Sequence, residues 1–293
     1  MIHHPTLRII DIASDPGDLS RVNEDAAGGN RSCAFVIDGA TGLGGKGIVG
    51  QDGSDAAWLA RLAKTFFEQE VVSGRPMSDV VRTLNKQAAT VVQESSAGLP
   101  ITAWSLPVAS FQMVRVDDAA IVTHGLGDCR LFLADADGAV IETTAMKGNH
   151  AAERESARRA IAHAGGLAAI KALSDDPAVR EELRRRRSVY NRPEGNVWTL
   201  GTEPAAAKHL SSEPISPRLP ATGLLCSDGF AALCDQYERY DPAGLIGKAK
   251  SDGLKSLIRE LRHVERTVDP NGEAYPRFKM SDDATAVLFE IVM

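Results

Sequence analysis

Carboxylates recur at the ends of apolar segments in five separate parts of the sequence. These segments have the composition of buried strands, so each carboxylate would lie where a strand begins or ends. Three of the carboxylates are also next to a glycine. The acidic residues are Glu24, Asp25, Asp38, Asp128, Asp228, Asp282 and Asp283, and the neighbouring glycines are Gly39, Gly127 and Gly229.

Ionised carboxylates at these positions could be arranged in two ways. They could be dispersed, each capping a turn or accepting hydrogen bonds from backbone N–H groups. They could instead converge, but like charges raise one another's pKa and burial costs each ion several kcal/mol, so a convergent cluster needs cations. Oxygen ligands without nearby His or Cys pairs favour Mg²⁺ or Mn²⁺ over zinc, and a glycine lets a backbone carbonyl approach the ion. The residue types alone leave both arrangements open.

The elements that would position these carboxylates begin with two strands and two helices. Residues 7–10 and 33–37 are predicted strands, and the second of them is apolar throughout. Apolar residues then recur at helical spacing over 59–66 and 80–91, which predicts two amphipathic helices.

Strand signals dominate the rest of the chain. Residues 135–138, Asp-Ala-Asp-Gly, are typical of a hairpin turn, and 244–264 are predicted to be helical. Because strands and helices do not alternate strictly, the order favours an α+β fold with helices packed on mostly antiparallel sheets over a doubly wound parallel fold. The predicted strands here are 111–116, 120–122, 131–134, 139–141, 224–227 and 284–292.

The stretch from about 148 to 200 differs from its surroundings. It is rich in Ala, Arg and Glu, and it is predicted to form one or two exposed helices inserted between strands. Four consecutive arginines at 184–187 are typical of a solvated helix face, or of a docking surface for a phosphorylated, acidic partner. No repeat or long linker divides the sequence, so we expect a single domain over 1–293 with this insertion.

Composition excludes several classes of protein. The chain has 293 residues, a formal net charge of −6 and 43% hydrophobic residues, which is a soluble globular composition. The mild acidity argues against a general nucleic-acid binder, and no apolar run approaches the ~20 residues that a membrane span needs. The N-terminus has no signal-peptide pattern, and the four cysteines form no CxxC pair. We therefore expect a cytoplasmic protein with reduced, buried cysteines and neither nucleic acid nor membrane as a partner.

The ordered set of acidic motifs resembles the metal-dependent type 2C Ser/Thr protein phosphatases (the PPM/PP2C-like family), in a divergent bacterial form. The resemblance covers residues 8–292, and 148–200 would correspond to the variable flap beside the active site. The motifs that carry it are Asn23-Glu24-Asp25, Val36-Ile37-Asp38-Gly39, Gly127-Asp128-Cys129-Arg130, Cys226-Ser227-Asp228-Gly229 and Ser281-Asp282-Asp283.

The resemblance implies a four-layer α-β-β-α sandwich and hydrolysis of phosphoSer and phosphoThr in protein substrates. A water held between two Mn²⁺ or Mg²⁺ ions would attack phosphorus, with a third ion possible. Asp38 and Asp228 would be catalytic through these ions, and Arg21 would grip the substrate phosphate. The implied metal ligands are Asp38, the Gly39 carbonyl, Asp228 and Asp282 for the two ions, Glu24 and Asp25 directly or through waters, and Asp128 for the third ion.

Three positions depart from the family pattern. Arg21 lies three residues before Glu24 instead of four, Ala40 stands where many members have a histidine acid, and Ala232 replaces a common aspartate. His124 or His150 could in principle supply the acid. The alternative function is a catalytically weak or inactive metal-binding module that binds phosphoproteins.

Two other interpretations are less well supported. Residues 42–47 fit the G-x-G-x-x-G pattern of a dinucleotide-binding turn, but a helix is predicted where the second strand should follow. Residues 36–41 are similar to the aspartyl-phosphate hydrolases of the haloacid dehalogenase type, but Ala40 occupies the position of their second aspartate. No G-x-S-x-G motif supports a serine hydrolase.

Overall fold

Two antiparallel sheets lie at the centre of the structure, a computed structural model that describes residues 4–45, 47–50, 52–72, 74–117, 120–146, 150–170 and 172–293. The described strands form two sheets of five, in the orders β1-β10-β9-β6-β7 and β2-β3-β4-β5-β8. Every neighbouring pair is antiparallel. The strands are β1 (Thr6–Asp15), β2 (Asp25–Gly29), β3 (Cys33–Gly39), β4 (Ala109–Asp117), β5 (Ala120–Leu126), β6 (Arg130–Ala134), β7 (Val140–Thr143), β8 (Ser211–Ile215), β9 (Ala221–Cys226) and β10 (Ala284–Val292).

Helices cover the outer face of each sheet. The sheet that contains β3 carries α1 and α2, and the sheet that contains β10 carries α6, α7 and α8. Three further helices, α3, α4 and α5, lie between β7 and β8 in the chain. The four-layer α-β-β-α sandwich is thus confirmed. The helices are α1 (Asp55–Glu70), α2 (Met77–Ser95), α3 (His150–Ala164), α4 (Leu167–Ile170), α5 (Pro177–Arg187), α6 (Asp228–Asp235), α7 (Pro242–Asp252) and α8 (Leu254–His263), with a π-helical turn at Val264–Val268.

Three apolar layers separate the four layers of secondary structure. On β3, Phe35 and Ile37 face the helices, and the Phe35 ring packs edge-on against Phe67 of α1 at 5.4 Å. The alternate residues Ala34 and Val36 face the other sheet. Because side chains alternate along a strand, the next residue of that set, Asp38, lies on the inner face at the end of the core between the sheets.

The structure adds elements that the sequence patterns do not predict. Strand β2 consists of Asp, Ala and Gly, which have low strand propensity, and its pairing with β3 holds it extended. Strand β8 and helix α6 are also additional, and the described part of the insertion contains three α-helices instead of one or two. The predicted helix over 244–264 is two helices, because Gly253 with φ of 79° separates α7 from α8.

Two further predictions can be compared with the structure. All four cysteines are free thiols, and Cys33, Cys129 and Cys226 are buried whereas Cys234 is half-buried. Within the described ranges, no helix has the length and apolar character needed to cross a membrane.

Candidate metal centre

Four adjacent strands of one sheet place Asp25, Asp38 and Asp128 close together. Asp25 on β2 pairs with Asp38 on β3, and Asp38 pairs with Ser110 on β4. The Ser110 hydroxyl donates a hydrogen bond of 2.7 Å to Oδ1 of Asp128, which lies just after β5. Gly127 allows this approach, because its φ is +80° and a Cβ there would lie 2.1 Å from the Ser110 hydroxyl.

The other sheet contributes the remaining acids. Asp228 is the first residue of α6, one residue beyond the end of β9, and its backbone N–H lies 3.4 Å from Oδ2 of Asp38. Asp282 lies just before β10. Asp38, Asp128, Asp228 and Asp282 line one cavity of about 260 Å³. The structure therefore brings together carboxylates that are as many as 244 positions apart, from Asp38 to Asp282, at the ends of both sheets.

Mutual repulsion and burial disfavour the ionised forms of these acids. Burial raises the pKa of Asp38 well above its ordinary value, and the charges of Asp228 and Asp25 raise it further. Burial and the charge of Asp283 act in the same direction on the pKa of Asp25. Burial, with Asp282 and Asp128, raises the pKa of Asp228 to about 7. A divalent cation in the cavity would remove this repulsion.

Two acids next to each other in the sequence have different environments. Both side-chain oxygens of the buried Glu24 accept hydrogen bonds, Oε1 from Ser54 at 2.7 Å and Oε2 from Thr41 at 2.6 Å. In contrast, the buried Oδ2 atom of Asp25 has no hydrogen-bond partner among the described residues. A buried carboxylate oxygen without a donor needs another positive partner.

Asp282 and Asp283 also differ in what their side chains contact. The two side-chain oxygens of Asp283 accept hydrogen bonds from the backbone N–H groups of Gly17 at 3.0 Å and Glu24 at 2.6 Å. Asp283 therefore ties the segment before β2 to the start of β10, whereas Asp282 lines the cavity. The buried Arg262 fixes the backbone at this point, since it donates to the Asp282 carbonyl at 2.8 Å.

Lys279 is a site residue that the sequence analysis missed. Its ammonium group donates to Oδ1 of Asp282 at 2.5 Å and to the hydroxyl of Thr41 at 2.8 Å. Burial disfavours its charged form, but Asp282 and Asp228 outweigh burial and raise the pKa of Lys279 above its ordinary value. Its position three residues before Asp282 is the only sequence signal, and a lysine at that spacing has no special meaning.

Arg21 and Arg187 occupy different positions relative to the site. Arg21 is exposed and lines a neighbouring cavity of about 350 Å³ that shares Thr41, Lys279 and Asp282 with the first. Arg187, at the end of α5, lines the cavity of the four carboxylates itself. In the sequence, Arg187 is distinguished only as one member of the arginine run at 184–187.

The other residues that the sequence singled out lie away from the cluster of carboxylates or line the cavity without contributing a carboxylate. His124 on β5 shares a hydrogen bond of 2.9 Å with Ser212, and burial lowers its pKa to about 4. The side chain of His150 is outside the described part of the chain. Gly42 lines the cavity in a loop that precedes α1, and Lys46 of the same glycine-rich motif lies outside the described residues.

The donor set of this cavity fits a hard divalent cation. Four carboxylates and the backbone of Gly39 line the cavity. On the strand beside Asp38, the buried Oδ2 atom of Asp25 lacks a hydrogen-bond partner in the described ranges. As the side chains stand, no group of three His, Cys, Asp or Glu residues in the described ranges is arranged to hold one ion.

Comparison with known proteins identifies the fold. The chain is similar to the Mycobacterium tuberculosis serine/threonine phosphatase PstP, with 15% identity, a TM-score of 0.55, and 98% of this chain and 100% of that chain covered. A structure of the PstP catalytic domain with two manganese ions gives 15% identity, a TM-score of 0.53 and coverage of 99% and 100%. The Mycobacterium smegmatis PPM phosphatase MsPP in complex with cacodylate gives 18% identity, a TM-score of 0.50 and 97% coverage of both chains.

The sequence itself is more distant. No protein-family model matches the chain, and a search of curated protein sequences finds no match. The structural likeness extends over nearly the whole of each chain, so the protein has the fold of the bacterial PPM/PP2C Ser/Thr phosphatases.

Proposed function

We propose that this chain, which has the fold of the bacterial PPM/PP2C phosphatases, is a Mn²⁺- or Mg²⁺-dependent phosphatase of phosphoSer and phosphoThr in proteins. The observation that carries the proposal is the convergence of Asp38, Asp128, Asp228 and Asp282 on one cavity at the ends of both sheets. A cluster of carboxylates that raise one another's pKa is unfavourable without cations, and two bound divalent cations are one established way to catalyse phosphate-ester hydrolysis.

In this proposal the cavity holds two cations and has room for a third. When bound, the cations would activate a water as nucleophile and neutralise the charge that develops on the phosphoryl group. Asp38, Asp228, Asp282 and the Gly39 carbonyl would hold the two ions, Asp25 would contribute its unpartnered oxygen, and Asp128 would hold the third ion. Glu24 would act through water, since hydroxyl groups already occupy both of its oxygens.

Other residues of the chain would keep these ligands in place. The hydroxyl of Ser110 orients Asp128, and the two backbone hydrogen bonds to Asp283 fix the strand start that carries Asp282. Lys279 would compensate part of the negative charge that the cations leave. We place the protein in the cytoplasm as a single phosphatase domain with the 148–200 insertion as its flap.

The test is turnover that depends on both metal and ligand residues. Purified protein should hydrolyse p-nitrophenyl phosphate and a phosphoserine peptide with Mn²⁺, and should lose this activity with EDTA. Asp38→Asn should abolish turnover and weaken Mn²⁺ binding measured by calorimetry, whereas the exposed α2 variant Glu94→Gln should behave as wild type. Activity that persists in EDTA, or in Asp38→Asn, would contradict the proposal.

The alternative is a phosphoprotein-binding module without turnover. It is favoured by Ala40 in place of a histidine acid and by the exposed position of Arg21 beside, not in, the acidic cavity. Mn²⁺ binding without hydrolysis of either substrate would support the module.

A further inference from the structure

Helix α5 of the insertion carries four consecutive arginines that divide into two pairs. Arg185 and Arg186 form exposed salt bridges with Glu182 on the same helix. Arg184 and Arg187 instead point to the loop after β3 and donate to its backbone carbonyls. The run is therefore a solvated face on one side only, and its other side faces the loop after β3, part of which lines the acidic cavity.

Arg187 is the member of this run that reaches the cavity. Its Nη1 atom donates to the carbonyl of Thr41 at 3.0 Å and, more weakly, to that of Ala40 at 3.4 Å. Within the described residues, its Nε and Nη2 atoms have no hydrogen-bond partner, and no carboxylate forms a salt bridge with it. The guanidinium also lies over the Tyr190 ring, 5.8 Å from its centroid, a contact that uses none of its N–H donors. A half-buried guanidinium without a carboxylate partner keeps most of its donors for an anion.

The other cation of the cavity is already engaged. The Lys279 ammonium is bound to the Asp282 carboxylate and the Thr41 hydroxyl. Arg21 lies outside this cavity, in the neighbouring one. Of the described cationic residues that line the acidic cavity, Arg187 is therefore the one with donors available.

From this geometry we infer that Arg187 binds the phosphoryl group of the substrate, so that the insertion, and not the segment before β2, supplies the phosphate-binding guanidinium. The inference rests on the proposed function. Its ligand is a phosphate monoester or the inorganic phosphate product, which a guanidinium can bind through two parallel N–H···O bonds. Because α5 carries Arg187, the position of the insertion would control access of phosphate to the acidic cavity.

Inorganic phosphate tests the inference without requiring turnover. Its binding to the Mn²⁺-loaded full chain would be measured by calorimetry. Arg187→Ala should weaken binding at least about tenfold, and Arg187→Lys should recover only part of the loss, because an ammonium cannot form the paired contact. Arg21→Ala should bind phosphate as wild type does.

Arg184→Ala is the matched control. Arg184 makes the same kind of loop contact, from Nε to the Leu43 carbonyl at 3.0 Å, but it stacks on Trp104 outside the acidic cavity. Loss of a loop tether alone would affect both variants, whereas a phosphate site would be lost only in Arg187→Ala. Mn²⁺ affinity of Arg187→Ala, measured in parallel, should stay at the wild-type value.

Three results would overturn the inference: wild-type protein that does not bind phosphate, Arg187→Ala that binds it normally, or equal losses in Arg184→Ala and Arg187→Ala. Failure of the proposed function can be told apart from failure of this inference, because a chain without turnover would still show the Arg187-dependent binding of phosphate. If turnover is present, Arg187→Ala should raise KM more than it lowers kcat.

Discussion

Replacing Asp228 with asparagine should stabilise the metal-free protein at neutral and alkaline pH. Burial and the charges of Asp282 and Asp128 raise the pKa of Asp228 to about 7, from 3.8 for a free aspartate. The folded state therefore binds a proton more tightly than the unfolded state between these two values. Stability of the metal-free protein falls as the pH rises through this window, and the loss is complete above the folded-state pKa.

The expected change in the free energy of unfolding follows from the pKa shift of Asp228. A difference of about three pKa units corresponds to about 4 kcal/mol. Protein atoms surround Asp228 closely enough to raise its pKa, but its side chain is still accessible to solvent, so screening reduces this value. We therefore expect a gain of about 1–2 kcal/mol in unfolding free energy for Asp228→Asn at about pH 8. At about pH 4, where the wild-type carboxyl is largely protonated in the folded state, the variant and the wild type should differ little.

Urea denaturation in EDTA, at about pH 4 and about pH 8, measures this difference. Glu94→Gln, an exposed position on α2, removes a carboxylate of the same charge and should change stability little at either pH. With Mn²⁺ added, wild type should gain stability and Asp228→Asn should gain less. If Asp228→Asn is no more stable than wild type at about pH 8 in EDTA, the carboxylates do not repel one another as the cavity implies.

Three further predictions concern neighbouring residues. Asp282→Ala should reduce Mn²⁺ affinity, measured by calorimetry, with little loss of folding stability. Asp283→Ala should instead lower the free energy of unfolding by about 1–3 kcal/mol in urea denaturation, because it leaves two backbone N–H groups unpaired. A larger loss of stability in Asp282→Ala together with a larger loss of Mn²⁺ affinity in Asp283→Ala would refute these two roles. Arg262→Met should destabilise the fold by about 3–5 kcal/mol, since it leaves the buried Glu265 carboxylate without its ion pair; a midpoint like that of wild type would refute it. Asp128→Ala should have a mild effect on activity: it should shift the Mn²⁺ concentration that gives half-maximal activity more than it lowers kcat. Complete loss of turnover would refute a secondary role for Asp128.

The local patterns predict those elements whose burial follows a simple period. The alternating and apolar runs around Phe35, Leu131 and Val287 indicate strands, and the helical spacing of Leu59 and Phe66 indicates α1. In contrast, β2 has a composition that does not favour a strand, and it is extended because β3 provides its hydrogen-bond partners. Such an element depends on pairing, which a window along the chain does not contain.

The site, like the fold, has some features that follow from local sequence and others that depend on long-range packing. The order of residues along the chain is enough to place acids at strand ends beside glycines, because alternation and turn chemistry are properties of a few consecutive residues. The packing of the folded chain is what brings Asp38 and Asp282 to one cavity, turns Asp283 toward backbone N–H groups instead, and brings Lys279 and Arg187 to the same cavity. These outcomes depend on how two sheets stack and where an inserted helix packs, and such contacts join residues more than a hundred positions apart.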